Sequence, residues 1–224
     1  MTMSAVHRVF DALYAAFGPQ DWWPARTGYE VMAGAVLTQN TAWRNVRRAL
    51  ANLRAIDALE PSALMAVDEL LLAEQLRPSG YYNIKAARLR NLTAALLMDG
   101  GMEAWQASNT AMLRQRLLGI KGIGEETADC ILLYALHRPV FVIDAYTRRI
   151  MARLGLAGGD EPYARLAALF EENLPRDPEL YNEFHALLVR LGSEVCRPRP
   201  HCPRCPLRHL CPTAQTIEPV EWGR

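Results

Sequence analysis

Four cysteines near the C-terminus are the residues whose type and spacing most clearly suggest chemistry. They form the pattern C-x5-C-x2-C-x5-C and are Cys196, Cys202, Cys205 and Cys211. Four thiolates within one short segment can close around one metal centre, and the prolines between them restrict the loops. Structural zinc bound by four cysteines usually lies between two C-x2-C pairs, whereas this segment has one such pair with wide flanks. The spacing therefore favours an iron–sulfur cluster, with zinc or no metal as the alternatives.

The N-terminus indicates a reducing compartment, and one cysteine lies outside the four-cysteine pattern. Cys130 lies beside Ile131 in a predicted helix and is typical of an inert core thiol. The first residues lack a basic region followed by an apolar stretch, so no signal peptide is predicted. No apolar run approaches the roughly 20 residues that span a bilayer. We therefore expect a cytoplasmic protein with no membrane partner, whose cysteines bind metal or stay reduced.

A glycine-rich segment at residues 117–124 predicts a tight turn between two helices. Gly122 and Gly124 allow backbone angles that are closed to other residues and let a second backbone come close. Amides at the start of the following helix would form an anion site suited to a DNA phosphate. Taken alone, the G-x-G pattern is also typical of an ordinary connection between helices.

A single aspartate, Asp144, follows the apolar residues 140–143 and precedes a predicted helix that begins at Ala145. Aspartate is a favoured N-cap residue, because its carboxylate accepts hydrogen bonds from the first turn of the helix. A carboxylate held in this way is rigidly placed, so capping and catalysis are compatible roles. The local sequence leaves open whether Asp144 is a cap only or also a catalytic group.

The elements that must position these residues are predicted to be helical almost throughout. Leu, Ala, Arg and Glu dominate, and apolar residues recur at spacings of three and four. Glycines and prolines break the pattern, and residues 140–143 alone have β character. The fold class is therefore all-α, with predicted helices at 6–17, around 31–36, and at 45–53, 61–73, 85–98, 108–118, 125–136, 145–154, 163–172 and 178–192.

Charge gives little direct information about a partner. The formal net charge is +1, so any DNA-binding face must be a local patch. Arginine supplies the basic residues apart from Lys85 and Lys121. This bias is typical of genomic base composition, and it limits the covalent amine chemistry that is available.

In combination, these segments resemble the endonuclease III superfamily of DNA glycosylases. Residues 118–128, LGIKGIGEETA, and the later Asp144 are similar to its helix-hairpin-helix and its Gly/Pro-rich loop with aspartate. The cysteine segment resembles the [4Fe-4S] loop of that superfamily. Residues 37–41, LTQNT, and 80–86, GYYNIKA, are also similar to its segments. The resemblance covers roughly residues 20–211.

The resemblance implies a two-lobed fold and a damaged double-stranded DNA as the partner. A six-helix barrel with the helix-hairpin-helix would occupy residues 27–134, and residues 1–26 with 135–224 would form a discontinuous [4Fe-4S] cluster domain. DNA would lie across the cleft, with the target base flipped out of the duplex. We expect a monomer associated with the nucleoid.

The resemblance also implies roles for individual residues. The base would enter a pocket beside Asp144, which would stabilise the oxocarbenium-like sugar and orient or deprotonate water. The hairpin would bind phosphate through Lys121, Gly122 and Gly124. By position, Gln39 and Tyr81 match residues that fill the vacated stack; packing of their loops is the alternative.

One departure from the superfamily pattern concerns the strand-cleaving lysine of its bifunctional members. That position is Glu126 in this sequence, and a carboxylate cannot form a Schiff base. This predicts hydrolysis without efficient β-elimination. Glu126 would add negative potential near a cationic base or position water, or would complement the helix dipole only.

The branch without this lysine resembles the 3-methyladenine DNA glycosylases, which implies alkylated purines as substrates. Trp22, Trp23 and Trp43 fit that branch, since indole faces attract cationic bases; the alternative is that they pack between lobes. Other hypotheses are a glycosylase for oxidised pyrimidine, uracil or mismatched thymine, a non-catalytic damage-sensing DNA-binding protein, and a zinc-stabilised helical interaction module.

Overall fold

The computed structural model describes residues 3–216, and within them helices and turns account for all regular structure. The predicted all-α class is therefore confirmed. The helices are α1 Ala5–Phe17, α2 Gly28–Leu37, α3 Trp43–Ala55, α4 Pro61–Ala66, α5 Glu69–Leu76, α6 Tyr82–Met98, α7 Gly101–Ala107, α8 Thr110–Leu118, α9 Glu125–Cys130, α10 Ala145–Arg153, α11 Tyr163–Glu171, α12 Pro178–Glu194 and α13 Pro212–Thr216.

The chain divides into two compact units. The central unit, Trp23–Arg138, contains α2 to α9, and the terminal unit combines residues 3–22 with residues 139–216. These boundaries lie four residues outside the predicted limits of 27 and 134. The difference has a local cause on the C-terminal side, where the Arg138 amide donates to the Leu132 carbonyl at 2.9 Å.

Helix α2 forms the core of the central unit. It is buried from Tyr29 to Leu37, which agrees with its apolar composition on all sides. Its first turn contains a buried carboxylate, Glu30, which forms an ion pair with Arg54 of α3. Helices α3, α6 and α9 pack around α2.

The terminal unit is built around α12, which packs against α1 and α10. Its core is aromatic: Phe141 stacks on Phe170 with ring centroids 3.8 Å apart, and Phe184 contacts both rings edge-on. Residues 140–143 are extended without a partner strand within residues 3–216. The buried Phe141 therefore anchors the segment that leads into Asp144.

Two predicted helices are interrupted in the structure. The predicted helix 61–73 is split into α4 and α5, because the Asp68 carboxylate accepts hydrogen bonds from the amides of Leu70 and Leu71 and caps a new helix. The predicted helix 125–136 ends its regular part at Cys130 and continues as one π-helical turn, Ile131–Ala135.

In the part of the chain that the structure describes, every helix is too short or too polar to cross a lipid bilayer.

Candidate active site

The glycine-rich segment forms a hairpin between α8 and α9, which we call the hairpin turn, residues 119–124. The two helices are joined by a partly buried ion pair, in which Arg114 donates to both oxygens of the buried Asp129 at 2.7 and 2.9 Å. Ile120 and Ile123 are buried beneath the turn. The side chain of Lys121 is exposed, whereas its carbonyl accepts a 3.1 Å hydrogen bond from Asn91. The hairpin turn therefore presents the Lys121 ammonium to solvent, as the sequence predicts.

The two glycines of the turn differ from each other. Gly122 has φ +99°, and a Cβ there would lie 2.3 Å from Cγ of Arg88. Gly124 has φ −96°, an ordinary extended value, and a Cβ there would meet nothing within 4 Å. The expectation that both glycines adopt backbone angles closed to other residues is therefore wrong for Gly124, whose open side faces solvent.

We predict that Gly122→Ala destabilises the protein and that Gly124→Ala does not. Gly122→Ala should lower the free energy of unfolding by more than about 1 kcal/mol, since it adds both backbone strain and a steric overlap. Gly124→Ala should leave stability within about 0.5 kcal/mol. Urea unfolding of the two variants measures the difference. Equal stabilities would contradict the conformation assigned to Gly122.

Gln39 lies in the loop after α2, residues 38–42, which we call the Gln39 loop. Its amide nitrogen donates to the Gly122 carbonyl at 3.1 Å and to the Thr127 hydroxyl at 3.0 Å. Its amide oxygen accepts a hydrogen bond from the guanidinium of Arg88. The structure therefore brings Gln39 to the hairpin turn, with both ends of its side chain engaged.

Tyr81 lies in the connection before α6, residues 80–81, which we call the Tyr81 loop. Its φ of +48° is in the left-handed region, which is unusual for an aromatic residue. Its side chain is 69% exposed. The backbone thus directs a large ring into solvent, away from the packing role that was the alternative for this residue.

Asp144 is the N-cap of α10, as its sequence position predicts. One carboxylate oxygen, Oδ1, accepts a 2.7 Å hydrogen bond from the Thr147 amide. The side chain is 12% exposed. The extended residues before it are fixed by α11, since the Phe141 amide donates to Glu171 and the Ile143 amide donates to the Tyr163 hydroxyl. The carboxylate is therefore held in one orientation while part of it stays accessible.

His185 of α12 lies behind Asp144 and was not identified from the sequence. Its Nε2 is 3.8 Å from Oδ2 of Asp144, and its side chain is 7% exposed. Burial lowers the pKa of His185, and the nearby Asp144 acts in the opposite direction. The two positions are 41 residues apart in the sequence, and no spacing pattern links them.

The predicted tryptophans are divided between the two units. Trp23 and Trp43 meet in the central unit edge-on at 4.9 Å, and Trp23 also contacts the buried Tyr134 at 5.2 Å. Gly34 of α2 provides the room, since a Cβ there would lie 2.9 Å from the Trp23 ring. Trp22 is half-buried in the terminal unit. Tyr134 lies in the π-helical turn, which sequence periodicity did not predict.

The position that would bear a Schiff-base lysine is Glu126, in the exposed first turn of α9. The two lysines lie elsewhere, Lys121 in the hairpin turn and Lys85 inside the central unit. The Lys85 ammonium donates to the carbonyls of Leu37 and Ser79 at 2.8 and 2.7 Å, and burial lowers its pKa to about 8. The Lys85 amine is buried and donates to two backbone carbonyls, so it is not placed to attack a sugar.

The four cysteines of the C-terminal segment line one cavity. Within residues 3–216, no three His, Cys, Asp or Glu side chains converge closely enough for a single metal ion. Burial raises the pKa of Cys202 and raises that of Cys205 to about 11, so bare thiolates are unfavourable there. The donor set, four thiols around one cavity, fits an iron–sulfur cluster bound by thiolate ligands.

Helix α10 connects this cavity to Asp144. At its C-terminal end Arg153 donates to Sγ of Cys196 at 3.2 Å and to the carbonyls of Arg197 and Pro198. The Arg153 carbonyl accepts hydrogen bonds from the Cys211 thiol and the Thr213 hydroxyl. The nine residues of α10 thus join the aspartate to the cysteine segment.

Comparison with known proteins gives consistent matches. Residues 33–176 match the family described as HhH-GPD superfamily base excision DNA repair protein. A Methanocaldococcus jannaschii protein, named as a candidate DNA repair glycosylase, is 46% identical over 92% of this chain and 95% of its own. Endonuclease III of Sulfolobus acidocaldarius is 28% identical over 83% of this chain and 82% of its own.

Two solved structures show the same fold. The 3-methyladenine DNA glycosylase MagIII of H. pylori, bound to 1,N6-ethenoadenine, is 32% identical with a TM-score of 0.76, covering 84% of this chain and 97% of its own. An endonuclease III–DNA complex has a TM-score of 0.80 at 23% identity, covering 96% of this chain and 98% of its own.

Proposed function

This chain belongs to the HhH-GPD superfamily of base excision DNA repair proteins, and from that premise we propose that it is a monofunctional DNA glycosylase acting on alkylated purines. The reaction is hydrolysis of the N-glycosidic bond of a 3-methyladenine-like base in double-stranded DNA. The observation that carries the proposal is the Asp144 carboxylate, fixed at the start of α10 beside a buried histidine of lowered pKa.

Asp144 supplies the electrostatic part of the mechanism. A purine alkylated at N3 carries positive charge and departs without protonation, so the reaction needs no strong general acid. The sugar then develops oxocarbenium character, and a fixed anion stabilises it without reorganisation in the transition state. The second oxygen of Asp144, which the Thr147 amide does not bind, can orient or deprotonate the attacking water.

Substrate preference rests on the aromatic cluster Trp23, Trp43 and Tyr134. Electron-rich ring faces attract a cationic base by about 0.5–2 kcal/mol relative to neutral adenine. The 32% identity with a glycosylase whose title names 3-methyladenine supports the same preference. Trp22 and Glu126 complete the set of residues that we assign to the damaged base.

The DNA-contact residues of the proposal are those that the sequence selected. Lys121 and the amides around Gly122 and Gly124 bind phosphate, with the open side of Gly124 leaving room for the backbone of DNA. Tyr81 and Gln39 occupy the space of the extruded base. Gln39 does so from the position that its hydrogen bonds to the Gly122 carbonyl and the Thr127 hydroxyl give it.

We predict that a base-release panel separates the candidate substrates. The purified protein, incubated with DNA carrying 3-methyladenine, thymine glycol or uracil, should release 3-methyladenine at least about tenfold faster than the other two, a difference of about 1.4 kcal/mol in activation free energy. Chromatography of the released bases is the measurement. Preferential release of thymine glycol or uracil would refute the alkylpurine assignment, and no release with intact binding would indicate a damage sensor.

We also predict that the protein forms no efficient covalent complex with abasic DNA under borohydride. Glu126 stands where an imine would require an amine, and the Lys85 amine is buried. Trapping is read on a denaturing gel. Glu126→Lys is the matched variant, since it restores an amine at that position and should raise the trapped fraction. Robust trapping by the unaltered protein would overturn the monofunctional assignment.

We assign the cysteine cavity to a [4Fe-4S] cluster bound by Cys196, Cys202, Cys205 and Cys211. Such a cluster would hold the C-terminal segment in place, because that segment has few buried apolar residues of its own, chiefly Leu207 and Ala214. The cluster has no assigned step in base release. It would help to position Asp144 through α10, because Arg153 at the end of that helix contacts the cysteine segment.

A further inference from the structure

One face of α6 presents three polar side chains at intervals of three residues: Lys85, Arg88 and Asn91. Residues with this spacing are neighbours on a helix surface. Arg88 and Asn91 reach the Gln39 loop and the hairpin turn, which the proposed function places on DNA. Lys85 binds the residues that directly precede the Gln39 loop and the Tyr81 loop. The three segments are far apart in sequence, and the side chains of α6 connect them.

Lys85 joins the two loops at their origins. Its ammonium binds the carbonyl of Leu37, which ends α2 just before the Gln39 loop, and the carbonyl of Ser79, just before the Tyr81 loop. Burial lowers its pKa to about 8, yet a neutral amine still has two N–H donors for these two carbonyls. The connection between the loops therefore does not depend on the charge of Lys85.

Arg88 joins the Gln39 loop to the hairpin turn. Its guanidinium donates to Oε1 of Gln39, and its Cγ and Cδ occupy the space where a side chain at position 122 would be. Gln39 in turn donates to the Gly122 carbonyl, which closes a three-membered network. Asn91 continues the contact one turn further by donating to the Lys121 carbonyl.

We propose that Arg88 is a positioning residue that couples the Gln39 loop to the hairpin turn, so that the DNA-contact segments act as one preformed surface. The proposal rests on the proposed function, since it gives these segments a common role in holding duplex DNA and extruding a base. Ordering of loops on binding is a cost that a preformed surface avoids. The coupling runs through Gln39 and has no contact with the reacting sugar.

The matched pair Arg88→Met and Arg90→Met tests this role. Both arginines lie on α6 and are half-buried, but Arg90 donates to the Val67 carbonyl and pairs with Glu69, outside the DNA-contact segments. Methionine retains the packing of the arginine methylenes and removes the guanidinium. We expect Arg88→Met to weaken binding to a duplex with a tetrahydrofuran abasic analogue at least tenfold, and Arg90→Met to change it less than twofold.

Two further readouts distinguish positioning from loss of stability. In a cycle with Gln39→Ala, the double variant should bind no more weakly than the weaker single variant, because both changes break one network. Single-turnover base release by Arg88→Met should fall at least tenfold on a fully paired duplex. It should fall less than threefold when an abasic site lies opposite the damaged base, because an unpaired base is extruded more easily. Equal behaviour of Arg88→Met and Arg90→Met, or additive losses with Gln39→Ala, would overturn the proposal.

The binding assays need no base release, so they decide the role of Arg88 even if the substrate assignment fails. Conversely, normal behaviour of Arg88→Met alongside release of 3-methyladenine by the unaltered protein would remove this inference and leave the proposed function standing.

Discussion

Asp144→Asn is expected to lower single-turnover base release by about a hundred- to a thousandfold while the fold is retained. Asparagine keeps the shape of the side chain and an oxygen that accepts the Thr147 amide, so the cap of α10 persists. The lost property is the negative charge that we propose stabilises the sugar cation. DNA binding should therefore be almost unchanged, and only the rate of the chemical step should fall.

Asp177→Asn is the control for this substitution. Asp177 caps α12 by accepting the Glu179 amide at 2.9 Å, and it is exposed. The same chemical change there should leave base release within about twofold, given that surface changes alter stability by no more than about 0.5 kcal/mol. Turnover of Asp144→Asn close to that of Asp177→Asn would remove Asp144 from the mechanism.

Cys205→Ser is expected to have the largest effect on stability. Loss of a metal centre belongs to the few single changes that cost more than about 4 kcal/mol. At roughly 2–4 °C per kcal/mol for a chain of this size, the thermal midpoint should fall by at least about 8 °C. Iron content and the broad visible absorption of the cluster should be lost together, and base release should decline because α10 carries Asp144 at its other end.

Cys130→Ala provides the comparison, because Cys130 lies in α9 of the central unit and not at the cavity. That variant should keep the iron, the visible absorption and a thermal midpoint within about 5 °C of the unaltered protein, a range that allows for loss of one small half-buried group. If the unaltered protein is colourless and contains zinc, and Cys205→Ser loses that zinc, the cluster assignment is wrong. The four cysteines would then be ligands of zinc.

The helical architecture could be predicted because apolar periodicity and capping residues are local properties. Cysteine spacing and the cap at Asp144 were visible for the same reason. Asp68 shows the limit of such reasoning: an apolar run continues through it, yet its carboxylate satisfies two amides and starts a new helix. Gly124 shows another limit, because the sequence does not report which glycine of a turn takes a positive φ.

The parts of the candidate site that escaped prediction are contacts between distant segments. His185 meets Asp144, Tyr134 meets Trp23, and Arg88 meets Gln39, in each case across more than forty residues of sequence. No local pattern encodes such pairs, since they depend on how helices pack. Gln39 illustrates the consequence: its position in the chain was informative, whereas its engagement with the hairpin turn needed the structure.

The conformation of Tyr81 lowers stability at a residue to which we assign a role in base extrusion. An αL backbone costs an aromatic residue about 1 kcal/mol relative to glycine, and an exposed ring gains nothing from burial. A sequence optimised for robustness alone would carry glycine or asparagine at that position. A redesign for stability would consequently replace Tyr81 first, and would remove the ring that we propose fills the space of the extruded base.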